Sequence, residues 1–268
     1  MADDQRLVNF FKESQRKPFS ELESVLVVGV AKLENNTNLN AKNIFDNVPI
    51  YTIPDYVRGT NKKVKIPYPG VPFTVLTAKC GLQIRGIVKN LNDLKKKNDG
   101  KGKFPNQVTL DIALQDKVVN VMLFKNSMKI TGAKRPGHLV ETCIFIKALL
   151  SMMTKKGIKV WDKSLVLTKL NVVMENVVFD LGYKIRRKIL QEKAKENDEI
   201  ESPEEDDAVR ILYPTGEEKA KGGKKYFNFR VLHTGKVVFS GPNRDKMFPV
   251  YSKFMNFIES NEAAIRFD

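Results

Sequence analysis

From Gln107 to Leu114 apolar and polar side chains take turns (QVTLDIAL), and the same period of two returns in VVNVMLF, 118–124, and SMKITG, 127–132. Alternation sends successive side chains to opposite faces of a strand. These runs, joined by Gln115–Lys117 and Lys125-Asn126, therefore predict a three-strand meander with one buried face. Beyond Pro136-Gly137 the period changes: Leu139, Cys143, Ile146 and Leu150 recur at helical spacing. Upstream, the β-branched run VLVVGVAKL (25–33) predicts a strand and LNAKNIFDNV (39–48) a helix. VPFTVLTAKCGLQIRGIVK (71–89) predicts a hairpin turning at Cys80-Gly81, and residues 4–15 a short helix stopped by Pro18.

The order then recurs. KLNVVMENVVFDL (169–181) predicts a strand and residues 183–195 a basic helix. AVRILY (208–213), YFNFRVL (226–232) and KVVFSG (236–241) predict a second meander, and a last helix carries Met247, Tyr251, Phe254 and Ile258. LFKNSMKITGAKR (123–135) aligns without gaps on LHTGKVVFSGPNR (232–244). Asn126 then falls on Gly235, two types that tolerate left-handed backbone. Met128 and Ile130 fall on Val237 and Phe239, and Thr131-Gly132 on Ser240-Gly241. The helices that follow share the apolar spacing i, i+4, i+7, i+11. A duplication explains turn, alternation and helix together. It predicts an α+β chain with a helical tail (1–18) and a first repeat (19–153) holding a Pro/Gly-punctuated insertion (49–103). A second repeat (154–268) holds an acidic loop (196–207).

Charge narrows the partner. Lys and Arg number 46 against 31 Asp and Glu, a net +15, with an isoelectric point near 9.6. That surplus favours a polyanion, either nucleic acid or an anionic membrane surface. No unbroken apolar run approaches the ~20 residues of a membrane span. The opening MADDQRLVNFFKES lacks the basic and apolar regions of a secretory signal, so an intracellular protein without a membrane partner is expected. Glu196–Asp207 holds eight acids and no base and reads as a solvated, mobile loop. The basic loop 95–103 (KKKNDGKGK) reads first as a flexible, solubilising segment, with a second polyanion contact or a partner-protein contact as the alternatives.

Candidate chemistry is sparse. Cys80 and Cys143 make neither a disulfide framework nor a four-cysteine zinc site. His138 opens a helix and His233 lies in a hairpin turn, which leaves little material for a triad or metal centre. KGGKK (221–225) lacks the helix that a phosphate loop requires. An enzyme is not expected, and neither is a cofactor.

The duplicated half-unit resembles the TATA-box-binding protein family, whose repeats end in a strand–turn–strand of the form F-x-S-G-K-x-V-x-T-G-A-K followed by a long helix. The corresponding stretches here are LFKNSMKITGAK and LHTGKVVFSGPN, and MENVVF (174–179) carries Asn176 where the family has Q-N-x-V. The elaborations outside this match are most similar to TBP-like proteins of large DNA viruses. The resemblance implies a saddle: a curved antiparallel sheet whose concave face widens the minor groove, with helices on the convex side. The minor groove distinguishes A·T from G·C but little more, so an apolar face reads base composition and deformability. On the gapless alignment the DNA-facing set is Leu123, Lys125, Lys129 and Thr131 in the first repeat. In the second it is Asn176, Val178, Leu232, Lys236, Val238 and Ser240. Leu123 and Leu232 take the place of a family phenylalanine that wedges base steps, and a one-residue gap puts Phe124 there instead. The family's other wedges fall at Phe104–Gln107 and at the acidic Asp206-Asp207. Lys134, Arg135 and Arg244 are further phosphate candidates. The counterpart of Asn176 in the first repeat falls near Ser24. The implied partners are double-stranded DNA, a transcription factor IIB-type protein and RNA polymerase, in a nucleus, viral factory or virion. Two other readings compete: a basic protein that packages nucleic acid, and a saddle-fold interaction scaffold without DNA binding.

Overall fold

The computed structural model describes residues 18–34, 38–51, 72–86, 106–162, 166–218, 222–242 and 244–267. The predicted helix 4–15, Phe104 and the basic loop 95–103 lie outside them. The chain divides into two compact units, one of Val27–Val172 and one that joins the segment before Val27 to the residues from Val173 onward.

The first unit holds β1 (Ser24–Leu33), α1 (Ala41–Asn47), β2 (Thr74–Cys80), β3 (Gln83–Gly86), β4 (Val108–Ala113), β5 (Val118–Phe124), β6 (Ser127–Ala133) and α2 (Pro136–Lys155). Its strands lie in the order β3-β2-β4-β5-β6-β1, each antiparallel to its neighbours. The alternation works as the period predicts. Val119, Val121 and Leu123 of β5 turn inward to meet Met128 and Ile130 of β6, Ile44 and Phe45 of α1, and the stripe Leu139, Cys143, Ile146 and Leu150 of α2. The Asn40 side chain caps α1 by accepting from the Asn43 amide at 3.0 Å. Pro136 opens α2, where its missing N–H costs nothing. By length and composition α2 is apolar enough to cross a membrane, 20 residues at a mean hydropathy of 1.2. Polar residues interrupt it, which is why no unbroken run is visible in the sequence, and its apolar stripe lies in the core of the unit.

The second unit repeats the plan. It holds β7 (Leu167–Asp180), β8 (Lys184–Ile185), α3 (Arg187–Lys195), β9 (Ala208–Glu218), β10 (Lys224–Leu232), β11 (Lys236–Gly241), α4 (Arg244–Ile265) and β12 (Arg266–Phe267). The order β7-β11-β10-β9 is antiparallel throughout, and β12 pairs separately with β8. Phe229 stacks on Phe239 at 3.9 Å and on Phe254 of α4 at 4.0 Å, so one column of rings joins sheet to helix. Burying such a ring contributes about 1.5–3 kcal/mol. Phe19 packs 5.1 Å from Tyr251.

Two expectations need correction. The hairpins align without a gap only from the turn onward. The β5–β6 turn is Lys125-Asn126, while the β10–β11 turn is His233–Gly235. Gly235 has φ 87°, and a side chain there would strike the Tyr183 carbonyl, whereas Asn126 keeps a negative φ. The extra residue shifts β10 by one, so Leu123 corresponds to Val231 and Phe124 to Leu232. Secondly, most of Glu196–Asp207 is exposed, but the segment is also tied to the fold. Ile200 is buried in the core, Glu201 and Leu212 exchange two backbone hydrogen bonds of 2.9 Å, and Ser202 Oγ donates to the Arg210 carbonyl at 2.7 Å. The apolar Ile200 within the acidic run is what ties the segment to the edge strand β9.

Candidate nucleic-acid interface

Alternation that buries one face of each sheet presents the other to solvent. In the first unit that open face carries Asn120, Met122 and Phe124 of β5, Lys129 and Thr131 of β6, and Val30 and Lys32 of β1. Pairing arranges them in rows across the strands: Asn120 opposite Thr131, then Met122 beside Lys129 beside Val30, then Phe124 and Lys32 about Ser127. Asn120 donates to Asp111 at 2.8 Å, so its amide is partly engaged.

The second unit presents the same rows. Asn228, Ser240 and Asn176 lie side by side, followed by Arg230, Val238 and Val178. Across β9, Arg210 stands opposite Arg230, Leu212 opposite Asn228, and Leu232 opposite Ala208. The Oδ1 atoms of Asn176 and Asn228 are buried with no hydrogen-bond partner among the described residues. A buried polar atom ordinarily has a partner, so these two are poised to receive one.

Of the residues read from the sequence, Lys129, Thr131, Asn176, Val178, Leu232, Lys236, Val238 and Ser240 lie on the open side of their strands, and Lys125 is exposed in the β5–β6 turn. Leu123 does not. It is 1% exposed and points into the core, because the extra residue in the second turn misplaced it by one, and Phe124 holds the open-face position. Arg244 is not free for phosphate: it pairs with buried Glu175 at 3.1 Å and donates to the Phe19 carbonyl at 2.9 Å, clasping the N-terminal segment. Lys134 lies 4.0 Å from Asp116, and Arg135 pairs with Glu141 at 3.1 Å. The counterpart of Asn176 is Val28, beside the bulge of β1, rather than Ser24. Lys32, Lys79, Lys129 and Lys236 make no ion pair with another described residue.

Sequence reading missed Asn120, Asn228, Arg210, Arg230 and Met122. The signal was present: Asn120 and Asn228 occupy the same open position of YFNFRVL and VVNVMLF once a gap is allowed in the turn. The two buried thiols are inert by environment, and burial pushes the Cys143 thiol up to about 11.

Fold and face together define an α+β protein of two like units, each with an open sheet face that is part apolar, part amide and hydroxyl, and edged by cations. Among solved structures the chain is similar to the TBP of Methanococcus jannaschii, at 15% identity over 90% of this chain and 98% of that one, with a TM-score of 0.47. No family model and no curated protein matches it.

Proposed function

We propose that this chain is a DNA-binding transcription initiation protein of the TATA-box-binding kind, which engages A·T-rich promoter DNA in the minor groove through its open sheet faces. The observation that carries the reading is one polar pair at one register in both units: Asn120 opposite Thr131, and Asn228 opposite Ser240. An A·T minor groove presents only acceptors, the N3 of adenine and O2 of thymine. Amide N–H and hydroxyl groups supply the missing donors. Met122, Phe124, Val178, Val238 and Leu232 flank those pairs with apolar surface suited to the groove floor and to prising base steps apart. Lys125 and Lys236 stand at the strand ends and Lys129 within the face, where each phosphate neutralised releases counterions.

On this reading the bound duplex is a platform for a transcription factor IIB-type protein and an RNA polymerase. The protein is of the divergent kind found in large DNA viruses and works in a nucleus or viral factory without a cofactor. The experiment is energy transfer between the ends of a short A·T-rich duplex, with a G·C-rich duplex as control. End-to-end shortening confined to the A·T-rich duplex is expected. Salt-sensitive binding of both without shortening makes the chain a packaging protein, and no binding makes it an interaction scaffold.

A further inference from the structure

We infer that Arg210 and Arg230 form a phosphate-binding pair on the open face of the second unit, whose resident ligands are the chain's own Glu205 and Asp207 carboxylates. The DNA-binding reading supplies only the identity of the physiological ligand, a duplex backbone. The anion site itself stands on geometry.

Arg210 and Arg230 are directly opposite each other on β9 and β10. Like charges so placed repel and require an anion between them. Glu205 supplies it: one oxygen lies 3.2 Å from Arg210 Nη2 and 3.2 Å from Arg230 Nε. Both oxygens of Asp207 accept from Arg230 Nη2, at 2.6 and 2.8 Å. A guanidinium fork matches a phosphate as well as a carboxylate. The pair keeps a spare donor, since Arg210 Nε is buried without a hydrogen bond among the described residues.

The acids arrive on a segment pinned at several points, Arg187 donating to the Asp206 carbonyl at 2.8 Å and Lys195 pairing with Glu204 at 3.0 Å. Ile200 and the Glu201–Leu212 bridge fix its base, and Glu204–Asp207 follow Pro203 with Asp207 68% exposed. The positions equivalent to Arg210 and Arg230 in the first unit are Thr109 and Met122, uncharged. Cations and acids thus occur as a matched set on one unit only. A phosphate that displaces the carboxylates gains two arginines, and one that fails to displace them meets a wall of negative charge.

The test uses the full chain, with Glu205→Gln/Asp207→Asn, and with Arg210→Ala/Arg230→Ala added to it. Tripolyphosphate binding is measured by calorimetry, and duplex binding by fluorescence anisotropy over a salt series. The acid-neutralised variant binds tripolyphosphate on the order of tenfold tighter than wild type, and removing the arginines abolishes the gain. Its duplex affinity rises likewise, with a log–log salt slope steeper by about 2. Unchanged tripolyphosphate affinity, or a gain that survives loss of the arginines, overturns the inference. A gain for tripolyphosphate with no duplex binding by any variant keeps the anion site and overturns the DNA reading. Should the double variant melt early, Asp207→Asn alone serves, because that carboxylate is largely exposed and its loss leaves the bridge at Glu201 intact.

Discussion

The two open faces are built on one plan and differ in how their cations are engaged. In the first unit the cations are lysines, Lys32, Lys79 and Lys129, with no carboxylate of a described residue upon them, and Asp111 on that face is buried against Asn120. In the second unit Lys236 is likewise unpaired among the described residues, but Arg210 and Arg230 are both engaged by the acidic segment, and Glu201 takes Tyr226 and Lys224 as well. Lysine is a compact, hydrated point charge, while arginine offers a planar fork that holds a carboxylate or phosphate bidentately. The difference teaches that net charge is a poor guide to which half meets a polyanion first. The lysines of the first unit are open to one as they stand, while the arginine pair of the second must exchange an internal anion for an external one.

The largest effect that sharpens this comparison separates the buried from the open side of one hairpin. Leu123→Ala is expected to lower stability by about 2–5 kcal/mol in urea denaturation, because it opens a cavity in the core. Phe124→Ala, one residue along, is expected to leave stability within about 1 kcal/mol while weakening duplex binding. Equal losses of stability would put both residues in the core and remove the wedge.

Next come the paired asparagines. Asn120→Ala leaves the buried Asp111 carboxylate without its amide donor and is expected to cost about 1–3 kcal/mol in the same denaturation assay. Asn228→Ala removes an amide whose Oδ1 has no partner among the described residues, so stability should hold, while loss of its Nδ2 donor lowers A·T-rich affinity. A loss of stability at Asn228 as large as at Asn120 would contradict the idea that one amide is committed and the other is waiting.

Smaller effects concern charge. Lys129→Ala is expected to reduce the log–log salt slope of duplex binding by about 1. Arg230→Ala in the wild-type background should change it far less, since that arginine is already neutralised. Titration over the salt series reads both. A further effect belongs to the first unit alone. Burial is the main cause that holds the His138 imidazole below its ordinary pKa, with neighbouring Asp116 opposing it. The folded state therefore prefers neutral histidine, and protonating it opposes folding. Its contribution is intact above the ordinary value near 6.5 and is lost as pH falls through that value toward the lowered one. Thermal melts of wild type against His138→Gln between pH 7 and 5 should show the wild type losing more on acidification.

Much of the fold was legible because each β-run alternates and each long helix carries one stripe: 118–124, 127–132 and 236–241 read directly as strands, and the spacing from Leu139 and from Met247 read directly as buried faces. The site was legible on β6 and β11, where turn and strand align without a gap. It failed on β5 because the second turn, His233–Gly235, is one residue longer than Lys125-Asn126, and one inserted residue flips every side chain behind it. The tethers of the acidic segment were not legible because charge content says nothing of tertiary pairing: Glu205 and Asp207 face arginines on neighbouring strands, and its single isoleucine reaches the core.

Hydroxyl-radical footprinting with and without an A·T-rich duplex tests the central claim most directly. Met122, Phe124, Tyr226 and Leu232 lie on the open faces, while Met152 and Phe248 are exposed on helices of the other side. The account predicts that the first four lose reactivity on adding duplex while Met152 and Phe248 keep theirs. Protection of Met152 and Phe248 with the four sheet residues unchanged would contradict it.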